Sequence, residues 1–180
     1  MILSCDVGDR NLAFVLADVQ TPGLASIALW QVVDIRTCLS VYEINQALHS
    51  VLSPHLHRIK RAVIEKQPIR CRRLLRIGAA VECFVATHCA LTPRIVYQDA
   101  KSRCALLTNH MHAKIPAGKK GYKDRKNLSI SLCERCIKES AFEAAFRKVS
   151  KKDDLADCFV QLLTDLGTIP KRFICHPLEK

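Results

Sequence analysis

The sequence predicts an α/β fold in which helices flank a mixed five-stranded sheet. Three apolar segments separated by short turns open the chain, which is typical of a three-stranded antiparallel meander. Residues 41–52 then change to helical spacing, and a short buried strand follows at 62–65. Because a strand, a crossover helix and a second strand normally pair in parallel, two parallel strands should extend the meander. With 180 residues, 49% of them hydrophobic, we expect one domain spanning 1–180.

The first strand ends in a carboxylate. Residues 2–14 read Ile-Leu-Ser-Cys-Asp-Val-Gly-Asp-Arg-Asn-Leu-Ala-Phe, an apolar strand followed by a turn and a second apolar run. Period-2 alternation places Asp6 beside Gly8, where a ligand can approach the backbone closely. A carboxylate that only caps the hairpin turn is an equally good interpretation of this motif alone. The choice between them depends on whether other carboxylates converge on Asp6.

The fourth strand repeats this pattern. The elements before it are strands at 11–19 and 25–35, a turn at Thr21-Pro22-Gly23, and the helix at 41–52 that ends at Ser53-Pro54. The strand at 62–65 ends in Glu65, and Gln67-Pro68 then interrupts the chain. Because the carboxyl ends of neighbouring parallel strands lie at one edge, Asp6 and Glu65 should emerge together.

A long helix is predicted over 69–89, with arginines in its first turns and Gly78-Ala79-Ala80 at its middle. The arginines are Arg70, Arg72, Arg73 and Arg76. They could form an ordinary solvated face, and the small residues could serve packing on the sheet. We favour phosphate contact for the arginines and close helix packing for the small residues.

A fifth strand at 94–97 precedes a helix that opens at Asp99-Ala100-Lys101, and residues 112–126 then lose periodicity. The basic residues of this segment are Lys114, Lys119, Lys120, Lys123, Arg125 and Lys126. We interpret the segment as a mobile loop that binds nucleic acid. An ordinary disordered linker is the alternative, but it would leave this positive charge without a partner.

Two helical segments complete the chain. Residues 127–149 are expected to form a helix in two pieces; Cys133 and Cys136 within it fit core thiols better than a zinc site, which usually has a second ligand pair. The last helix runs from about Lys151 to Gly167. Its residues Asp154 and Asp157 share a face next to an apolar stripe, so they should point toward the sheet.

Composition indicates a nucleic-acid partner. The net charge is +11, and aromatic residues make up only 6% of the chain. This combination favours phosphate contacts along a duplex over base stacking on single strands. Most of the ten cysteines lie in apolar runs, which suggests a reducing compartment. With no membrane-spanning run and no signal sequence, we expect an intracellular, cytoplasmic protein without a membrane partner.

The candidate site is therefore made of Asp6, Glu65, Asp154 and Asp157. If they converge, each pair of charges about 5 Å apart repels by roughly 3 kcal/mol at an effective dielectric constant of 20. Divalent cations would relieve this repulsion. Oxygen ligands suit Mg²⁺, or Mn²⁺ in its place, and two such ions can hydrolyse a phosphodiester.

These motifs in this order resemble the RuvC-type Holliday junction resolvases, and most of all their poxvirus branch. The motifs are Asp-x-Gly on the first strand, Ile-Glu-x-Gln on the fourth, and Lys-Lys-Asp-Asp-x-x-Asp opening the final helix. The resemblance extends from Met1 to about Gly167. Each motif alone is weak, but the combination is specific.

The resemblance implies an RNase H-like fold, a homodimer, and Mg²⁺-dependent paired cuts in four-way DNA junctions, with no small-molecule cofactor. It makes the four carboxylates metal ligands and adds a functional lysine at Lys101. A second basic position falls on Lys126, although the Lys/Gly-rich segment before it departs from the family pattern. The resemblance also implies a viral setting with roles in DNA recombination, repair and genome resolution.

Two other functions remain open. One is a different RNase H-fold nuclease that cuts RNA–DNA hybrids or flaps. The other is a basic nucleic-acid-binding module without catalysis, which the presence of four carboxylates disfavours.

Overall fold

A six-stranded mixed sheet forms the centre of the computed structural model, which describes residues 1–21, 24–38, 40–89, 92–116, 120–138, 140–167 and 172–175. The strands are β1 (Ile2–Val7), β2 (Asn11–Thr21), β3 (Leu24–Asp34), β4 (Arg61–Glu65), β5 (Arg94–Gln98) and β6 (Arg172–Cys175). Their order across the sheet is β5-β4-β1-β2-β3-β6. The helices are α1 (Val41–Leu52), α2 (Arg72–His88), α3 (Ala100–Met111), α4 (Tyr122–Ile137), α5 (Ala141–Lys148) and α6 (Lys152–Leu166).

Strand pairing confirms the predicted fold class. β1, β2 and β3 form the antiparallel meander, whereas β4 lies parallel to β1 and β5 lies parallel to β4. In the parallel register Cys5 is opposite Ile64. The next residue on each strand is a carboxylate, so Asp6 and Glu65 leave the sheet side by side at the carboxyl ends of β1 and β4.

The structure differs from the sequence prediction at the end of the chain and at two helix starts. β6, which was not predicted, pairs in parallel with β3. α2 begins at Arg72, three residues later than predicted, because a turn in which the Cys71 amide donates to the Pro68 carbonyl at 2.9 Å precedes it. Arg70 therefore lies before the helix. Pro22 and Gly23 of the predicted turn lie outside the described residues.

α4 begins at Tyr122, earlier than predicted. The basic residues at 123, 125 and 126 therefore belong to its first turns and not to a loop. The Arg125 amide donates to the Gly121 carbonyl at 3.0 Å at this start. The Lys126 ammonium also pairs with Asp153 of α6, a contact that holds this start of α4 against α6. Lys119 lies outside the described residues.

A hydrophobic core covers each face of the sheet, and β2 contributes to both. Leu12 and Phe14 pack in the core shared with α1 and α2, whereas Ala13 and Val15 pack in the core shared with α4 and α6. The alternation along β2 follows the period of two in a strand. Its small side chains on the second face let α6 lie close to the sheet.

Side-chain hydrogen bonds fix α6 against the sheet. The buried Gln161 amide nitrogen donates to the carbonyls of Cys5 at 3.0 Å and Val63 at 2.9 Å. Ser4 Oγ donates to the Cys158 carbonyl at 2.9 Å. Trp30 Nε1 donates to the Leu155 carbonyl at 3.1 Å. These bonds tie the helix to β1, β3 and β4 and define its position along the strands.

We predict that Phe159→Ala lowers the free energy of unfolding by about 3–5 kcal/mol. The side chain is fully buried, with its ring centroid 5.3 Å from that of Trp30, so truncation leaves a cavity under α6. Urea denaturation followed by circular dichroism measures the effect. The control is Tyr42→Ala on α1, where the aromatic side chain is 70% exposed and the expected change is within about 0.5 kcal/mol. Equal effects for the two variants would contradict the assigned packing of α6.

Candidate active site

The four predicted carboxylates line one cavity at the carboxyl ends of β1 and β4. The cavity has a volume of about 440 Å³. Its acidic lining residues are Asp6, Glu65, Asp154 and Asp157. β1 and β4 supply the first pair, and the first turns of α6 supply the second pair. The structure thus brings together residues that are up to 151 positions apart in the chain.

The turn after β1 is tight at Gly8. The Gly8 amide donates to the Asn11 carbonyl at 3.0 Å, and a Cβ at Gly8 would lie 2.7 Å from that carbonyl oxygen. No side chain fits at that distance, so the turn requires glycine. β2 begins directly after this turn, at Asn11. The Asn11 Nδ2 donates to Asp154 Oδ2 at 3.0 Å. Asn11 therefore attaches the start of α6 to the start of β2.

Asp154 and Asp157 lie one turn apart on α6 and face the cavity together. Ser129 of α4 forms a side-chain hydrogen bond with Asp157, and Ser129 is itself buried. Burial raises the pKa of Asp157 despite the opposing attraction of Arg103. The environment therefore disfavours the ionised form of this carboxyl group.

Arg103 joins the two strand-end carboxylates. Its Nη1 donates to Asp6 Oδ1 at 3.1 Å, and its Nη2 donates to Glu65 Oε1. The Arg103 side chain is only 12% exposed, and those of Asp6 and Glu65 are 14% and 18% exposed. Gln67 Nε2 donates to the other oxygen, Glu65 Oε2, at 2.9 Å. Both Glu65 oxygens are therefore engaged.

The pKa values of this group reflect crowded negative charge. Burial raises the pKa of Asp6 well above its ordinary value, and repulsion from Glu65 adds to the effect, while Arg103 opposes it. Burial acts to lower the pKa of Arg103, but attraction by Asp6 and Glu65 outweighs it and the pKa rises. Arg103 therefore stays charged and offsets part of the repulsion.

The sequence analysis did not identify Arg103. Helical spacing in α3 could have indicated it, because Ala100, Arg103, Cys104 and Leu107 follow each other at intervals of three and four and line the cavity. Lys101, the residue predicted from family resemblance, is exposed and is not one of the described cavity-lining residues. Its catalytic role stays a prediction, and its exposed position allows DNA contact.

Lys126 lies at the other side of the cavity. Its ammonium group forms an ion pair with Asp153 and lies 4.0 Å from Asp154 Oδ1. It also lies 5.2 Å from the centroid of the Tyr122 ring. Burial acts to lower the pKa of Lys126, but the hydrogen bonds and charge of its partners outweigh it and raise the pKa above its ordinary value. The lysine stays protonated and attaches the start of α4 to the start of α6.

The other predicted basic residues lie at the starts of α2 and α4, close in the chain to the cavity-lining residues Leu74 and Tyr122. Arg70 and Arg72 are exposed at the start of α2, and Lys120 and Lys123 are exposed at the start of α4. Arg125 lines the cavity beside Lys126.

Arg73 differs from its neighbours because its guanidinium is already bonded to the turn after β1. Its Nε lies 2.8 Å from Asp9 Oδ1, and its Nη2 donates to the Ile35 carbonyl at 3.3 Å. We interpret Arg73 as a support of this turn more than as a free phosphate ligand.

The paired cysteines of α4 belong to a core. Cys133 is fully buried between α4 and α6, and Cys136 packs at the edge of the same cluster. Burial raises the pKa of Cys136 to about 11. Within the described residues, these two cysteines are not part of a group of three or more His, Cys, Asp or Glu side chains that could hold a metal ion.

The donor chemistry of the cavity fits a hard divalent cation, because carboxylate oxygens are the ligands that Mg²⁺ prefers. Within the described residues, however, no three His, Cys, Asp or Glu side chains are already grouped around one point as a metal site. Arg103 lies between two of the four carboxylates. Metal binding therefore requires these side chains to turn and the guanidinium to release them.

Several solved structures are similar to this one over most of their length. The fowlpox virus resolvase in complex with Holliday junction DNA has a TM-score of 0.63 and 17% identity, covering 92% of this chain and 96% of that one. RuvC of Thermus thermophilus has a TM-score of 0.59 and 16% identity, covering 94% and 98%. The yeast mitochondrial Holliday junction resolvase Ydc2 has a TM-score of 0.61 and 13% identity, covering 92% and 82%.

The sheet order and flanking helices are those of the RNase H-like fold that these structures share. A family model described as "Poxvirus A22 protein" matches residues 1–165. The chain belongs to this poxvirus family, and the resemblance identified from the motifs is confirmed. A search of curated proteins gives no significant match. In the part of the chain that the structure describes, no helix has the length and apolar character needed to cross a membrane.

Proposed function

We propose that this protein is a Holliday junction resolvase, a metal-dependent endonuclease that hydrolyses phosphodiester bonds in two strands of a four-way DNA junction. The observation that carries the proposal is the convergence of Asp6, Glu65, Asp154 and Asp157 in one cavity of a RuvC-type fold. Family membership supports the junction as substrate. The exposed basic residues at the starts of α2 and α4 suit a polyanionic duplex.

Four carboxylates would hold the metal, and two Mg²⁺ ions bound there would activate a water and stabilise the leaving oxygen. The chain supplies the orientation of these ligands. Asn11 fixes one oxygen of Asp154 by its 3.0 Å hydrogen bond, and Ser129 fixes Asp157. Lys126 lies close enough to Asp154 to offset its charge, while Asp153 holds the lysine in place.

Paired cutting requires two catalytic sites related by symmetry, and the described residues of one chain contain a single carboxylate set. A C₂ homodimer is the simplest assembly that supplies both. A suitable face lies beside α2. Ile69, which precedes the helix, is 87% exposed, and Leu75 of α2 and Tyr97 of β5 are 38% and 46% exposed. A groove of about 500 Å³ runs between these side chains and Ala79.

The small residues of α2 also support this face as the interface. A Cβ at Gly78 would meet only Gln67 Cγ, at 4.0 Å. The protein's own packing leaves room for a larger residue, so close approach of a second helix is a better reason for small residues at 78–79.

A panel of DNA substrates tests the proposed function against its alternatives. Four-way junctions, flaps, linear duplexes and RNA–DNA hybrids are incubated with the protein and Mg²⁺ at equal concentrations. We expect symmetric paired cuts in junctions and little cleavage of the other substrates. Preferred cleavage of hybrids or flaps would favour a different RNase H-fold nuclease, and binding without cleavage of any substrate would favour a non-catalytic module.

Location in the host cytoplasm stays a prediction.

We predict that Asp6→Asn, Glu65→Gln, Asp154→Asn and Asp157→Asn each reduce the junction cleavage rate at least about a hundredfold with Mg²⁺. Junction affinity should persist, because loss of a negative charge does not weaken attraction to DNA. Single-turnover cleavage and electrophoretic binding assays measure the two properties. Glu134→Gln, on an exposed part of α4, is the charge-matched control and should cut like the wild type. A variant of the four that cuts near the wild-type rate would remove that residue from the ligand set.

We predict that replacing Lys119, Lys120 and Lys123 by alanine weakens junction binding equally for different sequences. The slope of log affinity against log salt should flatten by about 0.9 for each lost phosphate contact. Fluorescence anisotropy over a range of salt concentrations measures the slope.

The control for this charge change is Lys138→Ala with Lys148→Ala. Both lysines are exposed, and Lys138 follows the C-terminal end of α4, roughly 20 Å from the basic start of the helix. An unchanged slope in the triple variant, or an equal change in the control, would show that the start of α4 does not contact phosphate.

We predict that Ala79→Glu converts a dimer to a monomer, because a buried unpaired charge at a close helix crossing is strongly unfavourable. Light scattering measures mass, and circular dichroism verifies folding. Ala105→Glu at an exposed position of α3 is the matched control and should stay dimeric. A folded Ala79→Glu protein that remains fully dimeric would place the interface elsewhere.

A further inference from the structure

The hydrogen bonds from Arg103 to the two strand-end carboxylates affect how the site can bind metal. Its two terminal nitrogens diverge, and each donates to a different carboxylate, Asp6 on β1 and Glu65 on β4. The group is nearly buried at the inner end of the cavity. A guanidinium in this position makes charge-assisted hydrogen bonds with little competition from water.

The same two carboxylates are ones that a divalent cation in this cavity would need. A guanidinium and a metal ion cannot share one carboxylate lone-pair region, and their charges repel at short range in a partly buried cavity. The cavity lining contains four acidic residues and three basic ones, so its formal charge is −1 with Arg103 and −2 without it. Arg103 therefore lowers the attraction of the cavity for cations.

We propose that Arg103 is a positioning residue that competes with divalent metal for Asp6 and Glu65 and thereby sets the metal affinity of the site. This inference rests on the proposed function, in which those carboxylates bind metal. Metal entry breaks both ion pairs and turns the guanidinium away. Arg103 also keeps the two carboxylates together, so its removal weakens the metal-free protein while strengthening metal binding.

The first experiment measures metal affinity without DNA. Mn²⁺ is titrated calorimetrically into the wild type, Arg103→Gln and Arg103→Lys, each first treated with chelator. We expect the Kd of Arg103→Gln to fall at least about tenfold, which corresponds to about 1.4 kcal/mol. Arg103→Lys keeps the charge and should stay within about threefold of the wild type. A merely structural role predicts equal or weaker metal binding in both variants.

Arg36→Gln is the matched control, because Arg36 also pairs with a carboxylate, Asp34, but in an exposed position. Its metal affinity should equal that of the wild type. Thermal unfolding with chelator should show a lower midpoint for Arg103→Gln than for Arg36→Gln, with a larger rise on adding Mn²⁺. If Arg103→Gln binds Mn²⁺ no more tightly than the wild type, the proposal is wrong.

A second measurement uses the unmodified protein and does not depend on whether Arg103→Gln folds. The side-chain Nε–Hε resonance of Arg103, assigned by its loss in Arg103→Lys, is followed by NMR during Mg²⁺ titration. We expect it to shift with saturation while the Arg36 resonance does not. An Arg103 resonance that stays unchanged at saturating Mg²⁺ would overturn the competition.

Cleavage assays separate this inference from the proposed function. Wild-type protein that binds Mn²⁺ but cuts no junction would contradict the proposed function. The comparison of Mn²⁺ affinities between the wild type and Arg103→Gln would still test the role of Arg103. Conversely, if the wild type cuts junctions but Arg103→Gln binds metal with the affinity of the wild type, only the proposed role of Arg103 is overturned.

Discussion

The docking of α6 on the sheet is the constraint on which the candidate site depends. Gln161 lies one helical turn after Asp157, and its amide donates to the carbonyls of Cys5 and Val63. Cys5 directly precedes Asp6, and Val63 lies two residues before Glu65. Because this buried amide bonds to acceptors on two neighbouring strands, α6 has little freedom to shift along its axis. Slippage by one turn would leave those carbonyls without a side-chain donor and would also separate the acidic pairs.

Local pattern was sufficient for most of the fold. Alternation and turn residues predicted the meander, helical spacing predicted α1 with its observed bounds, and a carboxylate after each apolar strand predicted where β1 and β4 end. The errors lie where tertiary contacts override propensity. β6 is a four-residue strand whose existence depends on pairing with β3, and the start of α4 depends on contacts of Lys126 that no local signal encodes.

The candidate site was predictable as a set of acids but not as a network of partners. Asp6 and Glu65 follow from strand register. Their partner Arg103 comes from α3, while Asn11 of β2 and Ser129 of α4 bond to Asp154 and Asp157. Lys101 and Arg103 are only two residues apart, yet a step of two on a helix turns a side chain by about 200° to the opposite face. The orientation of α3 places Arg103, and not Lys101, among the residues that line the cavity.

The position of α6 in the chain has a consequence for biosynthesis. Two of the four carboxylates, and the amide that fixes their register, belong to residues 154–161, whereas Asp6 and Glu65 lie far earlier in the chain, on β1 and β4. A nascent chain therefore carries β1 and β4 long before it can assemble the cavity. The ribosome must release nearly the whole of α6 before the acidic groups can gather, so a chain that ends before α6 lacks half of the carboxylate set.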